Sequence, residues 1–430
     1  MDTGPAGAFE RVWLERLAGL LGSRRAGKAR VIDLYLERRV ERRLLRTEER
    51  LEEIEVRDEG CALRLRSANG PVMEATNGLD RNAVASLLGR IAPPRSIPMR
   101  PPGTAPLAVP DRWTAWAESA SASLGPGPVE VRLLAREAAV VRPGRWAIVR
   151  TPPIIRIAVR TVPGSTLLAV WGHPALDRWI EALARRPART GWLPEAGTRR
   201  PVVFTEGAGG VLVHELVGHM VESDLLAAGL SPLAGRGGER IAPQPLTVVD
   251  DPLRDDLPGA FDHDDEGVPA MPRTLLSSGV LSGSLCDGEG ARSFGETPGR
   301  GRRSAWQHPP VPRMSNLVTV PGEHDRAELE TGVGQGLVVT RAGAAMVDPA
   351  EGRVVLRIEE GWELLHGRRR RPLAPFHLVG DIVRVLSGIR PEVGNDPEPD
   401  WRTGWCHKDG HTLPTGALTP TLVVEGLEVL

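Results

Sequence analysis

Lysine is nearly missing from this sequence. Only Lys28 and Lys408 carry an ammonium group among 430 residues, and arginine supplies the rest of the positive charge. Such a bias is typical of genome base composition, and it leaves few flexible amines on the surface. Cysteine is scarce too: Cys61, Cys286 and Cys406 are odd in number and far apart, which excludes a disulfide framework and fits a reducing compartment. Neither charge is in excess. With 54 basic and 55 acidic residues the formal net charge is -1, which argues against nucleic acid as the main partner. No stretch approaches the ~18 uninterrupted apolar residues of a membrane span. The N-terminal region also lacks a charged segment followed by an apolar one, so neither a span nor a signal peptide is expected, and a cytoplasmic location is.

What is present is the composition of a soluble globular protein, 41% hydrophobic and 25% charged, at a length that suggests two or three domains. Phe9, Val12, Trp13, Leu17 and Leu20 fall at helical spacing and predict an amphipathic helix ending at Gly22. Alternation at Ile32–Glu37 and at Cys61–Arg66 predicts half-buried antiparallel strands. Between them the densely charged Arg38–Arg57 favours helix by propensity alone. A helix from Asp80 to Ala92 follows, capped near Asn77 or Asp80. Seven prolines between Pro93 and Pro110 exclude helix or interior strand there and mark a possible subdivision. After a helix at 111–123, the apolar runs Val129–Leu134, Trp146–Val149, Ile154–Val159 and Thr166–Val170 predict a meander closed by a helix at Ala175–Ala184. The proline- and glycine-containing join before Val202 divides an N-terminal α+β domain, 1–195, from a C-terminal domain, 196–430. Beyond it come strand Val202–Phe204, short β-prone runs, a hairpin turning at Ser278-Gly279, a helix at Val379–Ser387 and a last strand at Thr421–Val424. Helix and strand are segregated without a βαβ rhythm, so the expected class is α+β, two-domain, with mainly antiparallel sheets and a metal-binding helix in the C-terminal domain.

That helix is Val211–Glu222, which follows Gly-Ala-Gly-Gly at 207–210. It places His214, Glu215, His219 and Glu222 on an otherwise apolar run, the pattern of a metal site on a buried helix. The familiar zinc-protease spacing is H-E-x-x-H, whereas this chain reads H-E-x-x-x-H. Five residues of regular α-helix would turn the second imidazole by about 140° from the first, too far for one ion. A π-bulge between the histidines restores a common face, and Gly218 is where the helix would yield. Glu215, next to the first ligand, is placed to take a proton from water activated by the metal. Glu222, three residues past His219, either accepts a hydrogen bond from that histidine or substitutes as a ligand, the first being preferred.

The run H-E-L-V-G-H-M-V-E-S-D at 214–224 resembles the H-E-x-x-G-H-x-x-E-x-D motif of the TldD side of the TldD/PmbA family. Further similarity lies at Asp264–Pro269, Arg302-Arg303, Pro312–Asn316, Val393–Asp396 and Cys406–Gly410, in the family's order, and near the N-terminus at Asp33–Glu37 and Gly60–Arg64. The resemblance implies strands rather than helix across Arg38–Arg57, and Zn²⁺ held by His214, His219 and Cys406 with Glu215 as catalytic base. It also implies a metallopeptidase acting on unfolded or extended peptides, paired with a PmbA-like subunit in a heterodimer or forming a homodimer. The chain departs from the family's C-G-K-x-G-Q-like segment by reading C-H-K-D-G-H, so His407 or His411 could support or replace the thiolate.

Other candidates carry less. Asp262, Asp264, Asp265 and Glu266 lack the spacing of a calcium loop. Gly207–Gly210 lacks the lysine of a phosphate loop. Arg368–Arg371 reads as a solvated hairpin tip and gives weak support for DNA contact. His173 sits at an expected helix start, where capping or solvent contact suffices. The competing expectations are a non-catalytic scaffold or regulatory subunit of a TldD/PmbA-type complex, and a metal hydrolase acting on a non-peptide amide.

Overall fold

The computed structural model describes residues 9–22, 30–47, 50–89, 129–161, 166–172, 191–400 and 404–430. The proline-rich 93–110, the helices expected at 111–123 and 175–184, and His173 lie outside them. The class is α+β with mainly antiparallel sheets.

Strands β1 (Arg30–Arg46), β2 (Leu51–Ser67), β3 (Gly70–Asn77), β4 (Val129–Arg142), β5 (Arg145–Arg150), β6 (Ile154–Thr161) and β7 (Thr166–Gly172) form one sheet in the order β3-β2-β1-β4-β6-β7, with β5 also on β4. Helices α1 (Arg11–Gly22) and α2 (Arg81–Leu88, capped by Asp80) cover one face through Leu14, Leu17, Leu21, Val84 and Leu88. The charged Arg38–Arg57 lies on long strands because its charges complement one another across the β1–β2 ladder. Arg42 faces Glu55 and bonds it at 2.6 Å, and Arg39 faces Asp58 at 3.1 Å. These long-range pairs override a helical preference that is only local.

In the C-terminal part, β8 (Val202–Phe204) lies inside an eight-stranded sheet, parallel to Gly336–Asp348 on one side and antiparallel to Leu422–Val424 on the other. Its three residues are fully buried, as its continuous apolar run requires. A six-stranded sheet includes Val248–Asp250, Arg273–Ser277, Asn316–Thr319 and Gly416–Thr419. The motif helix leaves the end of β8 and is buried throughout, packing Val211, Leu212, Leu216, Val217 and Met220 into the same core as Leu275, Met314, Leu317 and Val339. Burying each such side chain contributes roughly 1.5–3 kcal/mol, so this helix is the centre of its core rather than a surface element.

Two expectations change. Val379 belongs to strand Phe376–Asp381, whose backbone pairs with Arg353–Ile358, and the helix is confined to Ile382–Ser387, where the Asp381 carboxylate accepts from the Arg384 N–H at 2.8 Å. Arg368–Arg371 is not a tip. It lies in strand Arg368–Pro372, and the turn is His366-Gly367, both with positive φ. Arg369 pairs with Glu330 at 2.7 Å, and Arg371 with Glu363 at the same distance.

The acidic loop joins the two parts. Glu266 and Asp33 share the Arg64 guanidinium, at 2.8 Å for Glu266, and Asp265 takes Arg136. Tyr35, the sole tyrosine, donates to Glu37 at 2.8 Å and lies 3.8 Å beneath the Arg303 guanidinium. Trp306 packs on the same sheet face over Gly60, where a Cβ would lie 2.3 Å from the indole. Among the described residues no helix is long and apolar enough to cross a membrane.

Candidate metal centre

The motif helix changes pitch at the motif. Gly209–Val213 is α-helical, His214–Gly218 is a π turn in which the His219 N–H bonds the His214 carbonyl, and His219–Val221 is a 3₁₀ turn. The extra residue is thus absorbed between the two histidines, whose rings stand 5.0 Å apart. Gly218 has ordinary right-handed helical angles, so its role is close approach: a Cβ there would lie 2.7 Å from Met314 Sδ and 2.9 Å from Leu317 Cδ1.

Cys406 arrives on a hairpin, Trp405–Lys408 paired with His411–Pro414. Its two-residue turn, Asp409-Gly410, has both φ angles positive, the primed geometry for which Asp-Gly is selected. Alternation along the strand decides the rest. Cys406 and Lys408 face the helix, while His407 points outward to Thr412. His411, directly across from Lys408, is buried against His308. Among the described residues, the donor atoms that come together are those of His214, His219 and Cys406, all within 4.8 Å of one another. Neither His407 nor His411 joins them.

Cys406 Sγ lies 3.1 Å from His214 Nε2 and 3.0 Å from His219 Nε2. Burial would raise the thiol pKa, but the two imidazoles bring it well below the usual value. Burial would likewise lower the pKa of His219, which the charges of Glu222 and Cys406 instead raise well above normal. His219 Nδ1 meets Glu222 Oε2 at 3.0 Å, and the same oxygen accepts from Lys408 Nζ at 2.8 Å. Lys408 also reaches Asp224 at 2.6 Å. Burial opposes the Glu222 charge, yet His219, Lys408 and Arg313 hold its pKa down to about 2. Glu222 is sealed at 0% exposure, and Glu215, at 8%, is buried as well. Burial raises the Glu215 pKa, against the pull of the two histidines.

Residues 197–430 match the family profile described as the PmbA/TldA metallopeptidase C-terminal domain. The chain belongs to the TldD/PmbA family. It is 34% identical over 230 residues to a metalloprotease TldD homolog of Haemophilus influenzae, covering 53% of this chain and 48% of that protein. It is 32% identical over 261 residues to the TldD homolog of Buchnera aphidicola, covering 60% and 54%. It therefore spans about half the length of the curated relatives it matches. Its fold is like that of TldE from Thermococcus kodakarensis, with TM-score 0.69 and 14% identity over 97% of this chain and 98% of that one. It is also like that of a Thermotoga maritima protein described as a candidate modulator of a DNA gyrase, with TM-score 0.71 and 16% identity over 97% and 99%.

A metallopeptidase of this family implies a metal, and the donor set fits one. Two imidazole nitrogens and a thiolate suit zinc, and a tetrahedral ion would hold N and S ligands roughly 3.5 Å apart, within half an ångström of the distances found. His219 has the carboxylate behind it that metal-bound histidines commonly use for orientation. Reading the sequence missed Lys408, Asp224 and Arg313. The Asp-Gly turn signal would have revealed the hairpin and placed Lys408 on the same face as Cys406.

Proposed function

We propose that this TldD/PmbA chain is a zinc-dependent peptidase whose catalytic unit is residues 196–430. The observation that carries the reading is the convergence of His214 Nε2, His219 Nε2 and Cys406 Sγ, with Glu215 next to His214 in the same π turn. These three groups would hold zinc, which when bound would supply the Lewis acidity that such a reaction needs. Glu215 takes the proton of the attacking water and returns it to the leaving amine, and burial raises its pKa, which makes it a stronger base than an exposed carboxylate. Glu222 is the acceptor that orients His219 rather than a ligand, because both Lys408 and His219 already occupy one of its oxygens. His214→Ala or His219→Ala is expected to reduce zinc from about one per chain to a small fraction, measured by metal analysis after dialysis, since two remaining groups bind a labile ion poorly. Full occupancy in the double variant would remove the assignment.

The substrate we infer is an extended peptide. The Cys406 hairpin pairs with no other strand of the described residues, so its edge offers backbone groups next to the centre. Recognition through backbone is permissive in sequence and strict in conformation, because a folded substrate has committed its N–H and C=O groups internally. The test offers one polypeptide, unfolded and stably folded, to the zinc-loaded protein, alone and with a PmbA-like subunit. Such a partner is suggested by the TldE-like fold. Cleavage confined to the unfolded state is expected, and equal cleavage of both would refute the inference. An intact metal centre without cleavage under any of these conditions would favour a scaffold or regulatory subunit.

A further inference from the structure

Arg313 is a buried cation beside the centre whose only role so far is to help hold Glu222 ionised. Its side chain is 0% exposed, and Nε, Nη1 and Nη2 make no well-formed hydrogen bond, although the Cys406 sulfur is within hydrogen-bonding reach. A guanidinium removed from water in this way carries a large desolvation cost unless it faces compensating charge. The charge it faces is that of Cys406 and Glu222, the two negative groups acting on it most strongly after burial itself. Its Nε stands 3.5 Å from Glu222 Oε1, and that oxygen is also buried and without a partner, because His219 and Lys408 both use Oε2. The backbone beneath is fixed: the Arg313 N–H bonds the Arg300 carbonyl at 3.0 Å, next to a short ladder pairing Gly301 with Pro312. A planar fork whose donors make no well-formed bond therefore sits against one carboxylate oxygen and the Cys406 sulfur.

We propose that Arg313 is a positioning residue of the centre: on metal loading its guanidinium donates to Cys406 Sγ and Glu222 Oε1 and so fixes the thiolate and, through Glu222, the ring of His219. This inference rests on the metallopeptidase reading. The two donated bonds have separate effects. At sulfur, a hydrogen bond draws electron density from the thiolate, so that it gives less charge to the ion and leaves the ion a stronger Lewis acid. At Glu222, a second cation beside Lys408 keeps the carboxylate facing His219 and away from the ion. Lysine cannot replace the fork, because a single ammonium lacks the planar geometry that serves both acceptors.

The test uses the full chain loaded with cobalt(II), comparing the natural protein with Arg313→Met and Arg313→Lys, each checked for fold by circular dichroism. Stoichiometric cobalt is expected in all three. The thiolate-to-cobalt absorption band should move to lower energy in Arg313→Met, because a thiolate freed of its donor is easier to ionise, with a smaller shift in Arg313→Lys. With zinc, kcat should fall about 10–100-fold at little-changed KM, the usual loss when a group supporting a metal ligand is removed. An unshifted band in cobalt-loaded Arg313→Met overturns the inference while leaving the metal centre standing. If that variant does not fold, an unshifted band in Arg313→Lys does the same. Absence of stoichiometric cobalt from the natural protein overturns the metallopeptidase reading and this inference with it.

Discussion

Glu215→Gln is expected to lower kcat on an unfolded peptide by about 10²–10⁴-fold, the range spanned by general acid–base catalysis. Zinc content and melting temperature should be unchanged. Glutamine keeps the shape and burial of Glu215 but cannot accept a proton, and the three donor atoms of the centre belong to other residues. Glu215 adjoins His214 in sequence, and its pKa is raised by burial rather than lowered by a cation clamp of the kind that holds Glu222. The measurement is steady-state hydrolysis beside metal analysis of the same sample. A variant that kept zinc and most of its turnover would show that the proton is carried elsewhere.

A second large effect is expected far from the chemistry. Arg64→Ala should destabilise the protein by about 3–5 kcal/mol, the usual cost of removing one partner from a buried ion pair. Its side chain is 7% exposed, and it is the shared partner of Asp33 and Glu266, at 0% and 4%. Deleting the guanidinium leaves two carboxylates facing each other in a dry interface between the N-terminal sheet and the acidic loop. Thermal unfolding should shift down by roughly 5–10 °C. Asp33→Asn with Glu266→Gln added to Arg64→Met should recover much of the loss, because neutral groups of similar shape carry no unpaired charge. Unfolding of Arg64→Ala at the natural temperature would mean that water already reaches this cluster.

The two halves of the protein differed in how much their sequence disclosed. Val202-Val203-Phe204 and the alternation at Cys61–Arg66 announced their strands because burial is written there in local period. The histidine pair announced its own π turn because a regular pitch cannot bring two imidazoles five residues apart onto one face. Arg38–Arg57 was misleading on propensity, since its strands are held by charges that meet only across the ladder. Val379 read as helix because strand and helix share one apolar stretch, and only the Asp381 cap divides them. The acidic run 262–266 could not be assigned from spacing. Its partners Tyr35, Arg64 and Arg136 lie well over a hundred residues earlier, and no local pattern encodes them. Arg313 was visible as a letter in a family-like run, but its burial without a well-formed hydrogen bond is a property of three dimensions alone.

The relative placement of the two imidazoles is stored outside the π turn that carries them. An isolated peptide of this sequence gains nothing from a wider turn and would relax to the ordinary register, swinging one imidazole away from the other. What prevents this lies outside the helix: Met314 and Leu317 pressed against Gly218, and the hydrogen bonds from Leu285 N–H to the Val221 carbonyl and from Ser223 N–H to the Leu285 carbonyl. These contacts fix where the segment must end, and with both ends pinned five residues must span what four would in a regular helix. The coordinating angle is thus a boundary condition imposed by the surrounding walls. Transplanting the eleven-residue motif alone into another helical scaffold would carry over its ligands without their alignment.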